Sequence, residues 1–301
     1  MPPLFTCTGH RAAIYALATT GEENAFLSAG GDGWIVEWRL SSPENGYLRA
    51  SVPAQIFSLL ALPDTRRCVA GDMNGGVHWV DWAHPDQTRG IQHHQKGVFD
   101  LKYSAPWLFS AGGEGLLTRW DTERGRPMES IHLTYRSLRT IALSPQRSEL
   151  AVGASDGHIY LIDSEKGEVR HIIQHAHAPS VFATAYSPDE RYLISGGRDA
   201  MLRAWDLTAP TPTLVSEQPA HWFTINHIVF SPDGHYFATA SRDKTVKIWD
   251  AASFRLLRVL EPVRDGGHTN SVNRLLWLPG VLISASDDRT LKLWNAQMQP
   301  V

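Results

Sequence analysis

Residues 238–250 read ATASRDKTVKIWD, and the same phrase recurs along the chain. ISASDDRTLKLWN (283–295), ISGGRDAMLRAWD (194–206), FSAGGEGLLTRWD (109–121) and LSAGGDGWIVEWR (27–39) are close copies. VAGDMNGGVHWVD (69–81) and AVGASDGHIYLID (151–163) are degenerate ones. Each reads as two apolar strands joined by a tight turn of Asp-Gly or Arg-Asp type. One column runs Trp38, Val80, Trp120, Ile162, Trp205, Trp249 and Trp294, at spacings of 42, 40, 42, 43, 44 and 45. Seven units of about 43 residues thus account for essentially all 301 residues.

A single unit cannot bury its own faces, so all of them must stack into one body. That overrides the two domains which length alone suggests. The repeat resembles the WD40 family, whose units carry Gly-His early and Trp-Asp late. The resemblance implies an all-β, seven-bladed propeller of four-stranded antiparallel blades. Expected blades are 10–52, 53–93, 94–133, 134–176, 177–220, 221–262, and 263–301 completed by 3–9. Only six residues follow Asn295, too few for a well-formed fourth strand. The extended segment Pro3 to Thr8 is therefore expected to close the last blade and remove an open edge.

Composition narrows the function. Apolar residues make up 43% and charged residues 20%, as in ordinary globular chains. The net charge of −3 argues against a generic polyanion binder. Two cysteines, Cys7 and Cys68, exclude a disulfide scaffold and read as small buried strand residues. The start, MPPLFTCTGH, shows no secretory signal, and no apolar stretch approaches a membrane span. A cytoplasmic location follows as the expectation.

Polar columns keep the same phase. Relative to the Trp column, an acidic position recurs six residues earlier: Asp32, Asn74, Glu114, Asp156, Asp199, Asp243 and Asp288. A hydroxyl recurs ten residues earlier: Ser28, Ser110, Ser195, Thr239 and Ser284. A histidine recurs before each first strand: His10, His94, His177, His221 and His268. Units two and four lack His, hydroxyl and Trp together, so the groups act as a set. The resemblance names that set as an Asp–His–Ser/Thr–Trp hydrogen-bond relay inside each blade. Five copies of a Ser–His–Asp constellation around a ring are architecture, not a catalytic triad. Glu114 should make a longer relay in blade 3, and Asp156 should serve only to cap its turn. No metal-ligand spacing or phosphate loop appears, so neither a metal nor a cofactor is expected. His93 and His175 read as loop residues.

The resemblance also implies a partner face, the top of the ring around the central channel. It points there Tyr15, Phe57, Phe99, Arg139, Phe182, Asn226 and Asn273 from the first strands. Before the acidic column it adds Met73, Arg198, Arg242 and Asp287, with Trp222 on a neighbouring loop. Aromatics then collect in blades 1 to 3 and arginines in blades 4 to 6. An aromatic pocket beside a basic arc suits a peptide with an apolar anchor and acidic or phosphorylated flanks. The innermost strands also carry Asp100, His227 and Arg274, read as scattered. The expected role is a non-catalytic protein-interaction scaffold, a monomeric propeller within larger complexes, without membrane contact. The alternatives are a hydrolase- or lactonase-like propeller enzyme with a channel-mouth site, and nucleic-acid contact through the basic arc and Trp222. One acid, Asp287, among three arginines disfavours the first, and the net charge disfavours the second.

Overall fold

The computed structural model describes residues 2–22, 24–63 and 66–296. Its strands form seven four-stranded antiparallel sheets. Blade 1 runs Ile14–Thr19, Ala25–Gly30, Trp34–Arg39 and Tyr47–Ser51, from the channel outward. Blades 2 to 6 repeat that order, with innermost strands Ile56–Ala61, Val98–Ser104, Leu138–Ser144, Val181–Tyr186 and Ile225–Phe230. Helical structure among the described residues is confined to Pro262–Asp265 and the 3-10 turn Pro85–Gln87.

Blade 7 takes three strands from the C-terminal end, Val272–Leu278, Val281–Ser286 and Leu291–Asn295, and its fourth from Phe5–Cys7. Phe5 lies opposite Leu293 and Cys7 opposite Leu291. The closing strand is thus shorter than the Pro3 to Thr8 segment expected, but it covers the edge as anticipated. The ring also closes on its inner side, where Asn273 Nδ2 donates to Ile14 O at 3.0 Å.

The apolar alternation of each third strand explains the stacking. Val36 and Trp38 turn one way and pack on Ile283, Leu291 and Leu293 of blade 7. Ile35 turns the other way onto Leu59, Cys68 and Val80 of blade 2. Both faces of each blade are therefore buried, which is why the strands read as apolar runs more than as alternation. Each fully buried Leu, Ile or Phe side chain contributes roughly 1.5–3 kcal/mol. Cys7 and Cys68 sit within these layers, both free and buried. Burial pushes the Cys7 thiol up to about 12 and raises that of Cys68 too.

One irregularity repeats in every innermost strand. The register slips by one residue at Tyr15, Phe57, Phe99, Arg139, Phe182, Asn226 and Asn273. A bulge leaves its extra residue unpaired and re-aims the side chain. Here the same position is left unpaired in all seven blades.

Candidate functional site

The columns of the repeat meet as hydrogen-bonded sets. In blade 1, His10 Nδ1 lies 2.8 Å from Asp32 Oδ2 and Nε2 lies 2.7 Å from Ser28 Oγ. Trp38 Nε1 donates to the same Ser28 Oγ at 2.8 Å. With the acid accepting from Nδ1–H, Nε2 accepts the serine proton, and the serine oxygen accepts from the indole. Asp199 with His177, Ser195 and Trp205 repeats the pattern in blade 5. Asp243 with His221, Thr239 and Trp249 does so in blade 6. Asp288 with His268, Ser284 and Trp294 completes it in blade 7. In blade 3, Glu114 reaches His94 at 2.6 Å, and Ser110 and Trp120 follow as elsewhere. The extra methylene fits because residue 112 is glycine, where a Cβ would lie 2.5 Å from Glu114 Oε1 and 2.2 Å from His94 Nδ1. The relay serines are fully buried and already hold two partners each, so they do not face a substrate.

Each relay acid also fastens the loop above it. Asp32 accepts Arg11 N at 2.9 Å, Asp243 accepts Trp222 N at 3.1 Å and Asp288 accepts Thr269 N at 3.0 Å. Glu114 and Asp199 hold Lys96 N and Ala178 N, each at 3.3 Å. The relay therefore ties the core tryptophan to the top-face backbone.

Blades 2 and 4 correct two sequence readings. The carboxylate of blade 2 is Asp72, not a group at Asn74. Asp72 meets His78 Nε2 at 2.7 Å and accepts the backbone N–H of Asn74 and Gly76. In blade 4, Asp156 does cap its turn through His158 N, but it also accepts the Tyr160 hydroxyl at 2.7 Å. Burial, then the Asp156 hydrogen bond, pushes the Tyr160 phenol up to about 12. His78 and Tyr160 both stand two residues before the Trp column. In blades 5, 6 and 7 that place holds a cation: Arg203 donates to Asp199 at 2.8 Å, and the charges of Lys247 and Lys292 act on Asp243 and Asp288. That column was the available signal.

Acid should weaken the ring in two stages. Burial lowers His94, His177 and His221 below their ordinary 6.5, despite the acids beside them. The unfolded chain therefore takes up protons first, and stability present above about pH 6.5 is lost as pH falls through the lower folded values. Burial opposes ionisation of Asp199, Asp243 and Asp288, but their histidine bonds and charges outweigh it and hold them below 3.8. A second loss follows below about pH 4. Urea midpoints should drop between about pH 7.5 and about pH 5, and again below about pH 4; a flat profile across the first interval contradicts the buried-histidine account.

The bulge residues of blades 1 to 5 touch one another in sequence. Tyr15 meets Phe57 edge-on at 5.4 Å between centroids, and Phe57 stacks on Phe99 at 5.5 Å and 9°. The Arg139 guanidinium lies 4.2 Å from the Phe99 ring centre and 5.2 Å from that of Phe182. All five are half-buried. Arg139 is therefore part of the aromatic row, anchored by Nε to Ser155 Oγ at 2.9 Å, and does not belong to a separate arginine arc. Gly97 and Gly113 leave the rings room, since a Cβ at either would lie 3.0–3.1 Å from Phe57 or Phe99.

Arg198 and Arg242 are exposed, and among the described residues no hydrogen bond or ion pair engages either guanidinium. Trp222 is 87% exposed and Met73 is 42% exposed. Phe223, 58% exposed, and Tyr135, 90% exposed, join the exposed aromatics and fall outside the columns read in sequence. Asn226 and Asn273 are engaged within the fold. Asn226 Nδ2 donates to Ser271 Oγ and Val272 O, sewing blade 6 to blade 7. Asn273 Nδ2 donates to Asp287 Oδ1 at 2.7 Å as well as to Ile14 O. His93 is a loop residue whose ring packs on Trp120 at 4.9 Å, and His175 sits in a turn.

The channel residues are not scattered. Arg274 of blade 7 donates to Asp100 Oδ1 of blade 3 at 2.9 Å, and Ile141 N of blade 4 donates to Oδ2 at 2.8 Å. Lys102, overlooked in the sequence, lies 3.9 Å from the same carboxylate. Among the described residues no group of three or more His, Cys, Asp or Glu could hold a metal. No described helix is long and apolar enough to cross a membrane.

Seven four-stranded blades with this relay define a repeat propeller, and sequence comparison agrees on its kind. The chain belongs to the WD40 family: the model described as "WD domain, G-beta repeat" matches residues 1–39, 167–206, 212–250 and 255–295. The unmatched residues 40–166 hold blades 2 and 3 and the first three strands of blade 4, so they include both replaced relays and the intact one of blade 3. Protein groucho of Drosophila melanogaster is 24% identical over 173 residues, 56% of this chain and 23% of that protein. Ribosome biogenesis protein YTM1 of Ajellomyces capsulatus (strain NAm1 / WU24) is 28% identical over 218 residues, 68% and 41% respectively. The chain spans less than half the length of these relatives. Among solved structures, the WD40 beta propeller domain of Doa1 superposes with a TM-score of 0.87 at 16% identity, covering 98% of this chain and 97% of that one.

Proposed function

We propose that this propeller is a non-catalytic interaction scaffold that captures an extended peptide across its top face. The observation that carries the reading is the half-buried row Tyr15–Phe57–Phe99–Arg139–Phe182, together with Arg198 and Arg242, whose guanidinium groups hold no partner among the described residues. Rings already stacked lose little side-chain freedom when an apolar anchor covers them. Tyr, Trp and Arg are the residues on which binding energy concentrates. Arg198 and Arg242 would take acidic or phosphorylated side chains through charge-assisted hydrogen bonds. Trp222 and Phe223 would flank the same peptide from blade 6. The relay acids hold the loops beneath, so the surface is presented without an ordering cost.

An array of acidic and phosphorylated peptides tests this on the purified chain. Peptides retained should share an apolar residue with acidic or phosphate flanks. Phe57→Ala and the double reversal Arg198→Glu/Arg242→Glu should each weaken binding by ~10-fold or more, with thermal midpoints near the parent's. Peptides that bind the parent and both variants equally would sink the top-face assignment.

A further inference from the structure

We propose that the central channel is a binding site for a small inorganic anion, held between Lys102, Arg274 and His227. The three residues stand on the innermost strands of blades 3, 7 and 6. Blades 3 and 7 are not neighbours, so the Arg274–Asp100 contact can be made only across the channel. Arg274 Nη2 and Lys102 Nζ lie 2.9 Å and 3.9 Å from the Asp100 carboxylate, and His227 meets the strand of Arg274 through Leu275 N at 3.2 Å.

The charges there do not cancel. Asp100 is the one carboxylate, and it is committed: its oxygens accept Arg274 Nη2, Ile141 N and its neighbour Leu101 N. Lys102 Nζ, at 3.9 Å, is too far to hydrogen-bond it, and no other acceptor engages that ammonium among the described residues. His227 Nδ1 accepts the Leu275 N–H at 3.2 Å, so its proton is on Nε2 as a further donor. Burial keeps this imidazole neutral, and it also lowers the Lys102 ammonium. Two cations thus face one saturated carboxylate. An uncompensated buried charge is costly, and a small anion removes that cost while filling the open donors. The Lys102 side chain is 31% exposed, so a solvent ion can reach it through the channel.

Crystals of the full chain grown with sodium bromide, and separately with sodium phosphate, locate the anion. Anomalous scattering marks bromide, and difference density marks phosphate. Thermal unfolding in bromide, phosphate or gluconate at equal ionic strength gives the solution readout. Density within hydrogen-bonding distance of Lys102 Nζ is expected for one of the two ions. The same ion should raise the midpoint over gluconate by about 2 °C or more in the parent and not in Lys102→Met. Should Lys102→Met not fold, the parent's density and its ion-specific midpoint decide. An empty channel in both crystals with equal midpoints in all three salts overturns the site. So does a midpoint shift that survives in Lys102→Met.

Discussion

Replacing Trp120 by alanine should come close to unfolding the protein. Trp120 is fully buried, and its indole N–H donates to Ser110 Oγ at 2.8 Å. His93 packs against its ring at 4.9 Å and Trp79 at 6.3 Å, within the layer that joins blades 2 and 3. Truncating a buried aromatic costs ~3–5 kcal/mol through lost burial and the cavity it leaves. Ser110 and His94 lose the end of their chain as well, and a buried polar group left unpaired adds ~1–3 kcal/mol. Total stability of a folded domain is only ~5–15 kcal/mol. Denaturant titration should show a loss near the upper end of these sums, whereas Trp120→Phe should lose chiefly the hydrogen-bond part. A Trp120→Ala protein within ~1 kcal/mol of the parent would mean that the blade 2–3 layer repacks freely.

The second large effect is expected from the smallest change. Gly115 turns the hairpin of blade 3 at φ +96°. A Cβ there would lie 1.6 Å from the Thr134 carbonyl oxygen and 2.9 Å from that of Arg136. The neighbouring backbone is tied, since Leu133 N donates to Gly115 O at 3.0 Å. Gly115→Ala should therefore cost ~1–2 kcal/mol for the left-handed backbone and a further ~1–3 kcal/mol for the forced shift. Gly280, at φ +76° with nothing within 4 Å of its Cβ position, isolates the first of these. Gly280→Ala should cost only the backbone part. Equal losses in the two variants would show that the blade 3 turn yields without resistance.

How far the sequence could be read depended on whether a residue obeyed the repeat. Trp38 and its equivalents and the relay histidines were legible because they recur in phase. The bulge positions of the first strands were legible as positions. Their contacts were not: nothing in a column says that Arg139 lies between Phe99 and Phe182, or that Asn273 is held by Ile14 O and Asp287. His78 and Tyr160 were missed because blades 2 and 4 draw the acid's partner from the third strand and not from the loop before the first. The channel was hardest, because a repeat relates equivalent positions. Arg274 and Asp100 do share one position of their strands, but they meet across the ring from blades that are not adjacent, 174 residues apart.

The pairing of Phe5–Cys7 with Leu291–Asn295 has a consequence for biosynthesis. The closing strand leaves the ribosome before every blade it will lock, and its partner follows only after six blades have been made. At ~5–20 residues per second the wait is roughly 15–60 s. Throughout it blade 1 has a neighbour on one side only, and the segment that will close the ring remains single. Bringing its ends together is also among the costliest contacts in chain entropy, so the lock should be a late event. The nascent ring is then most exposed to mispairing and proteolysis just before its final blade is finished.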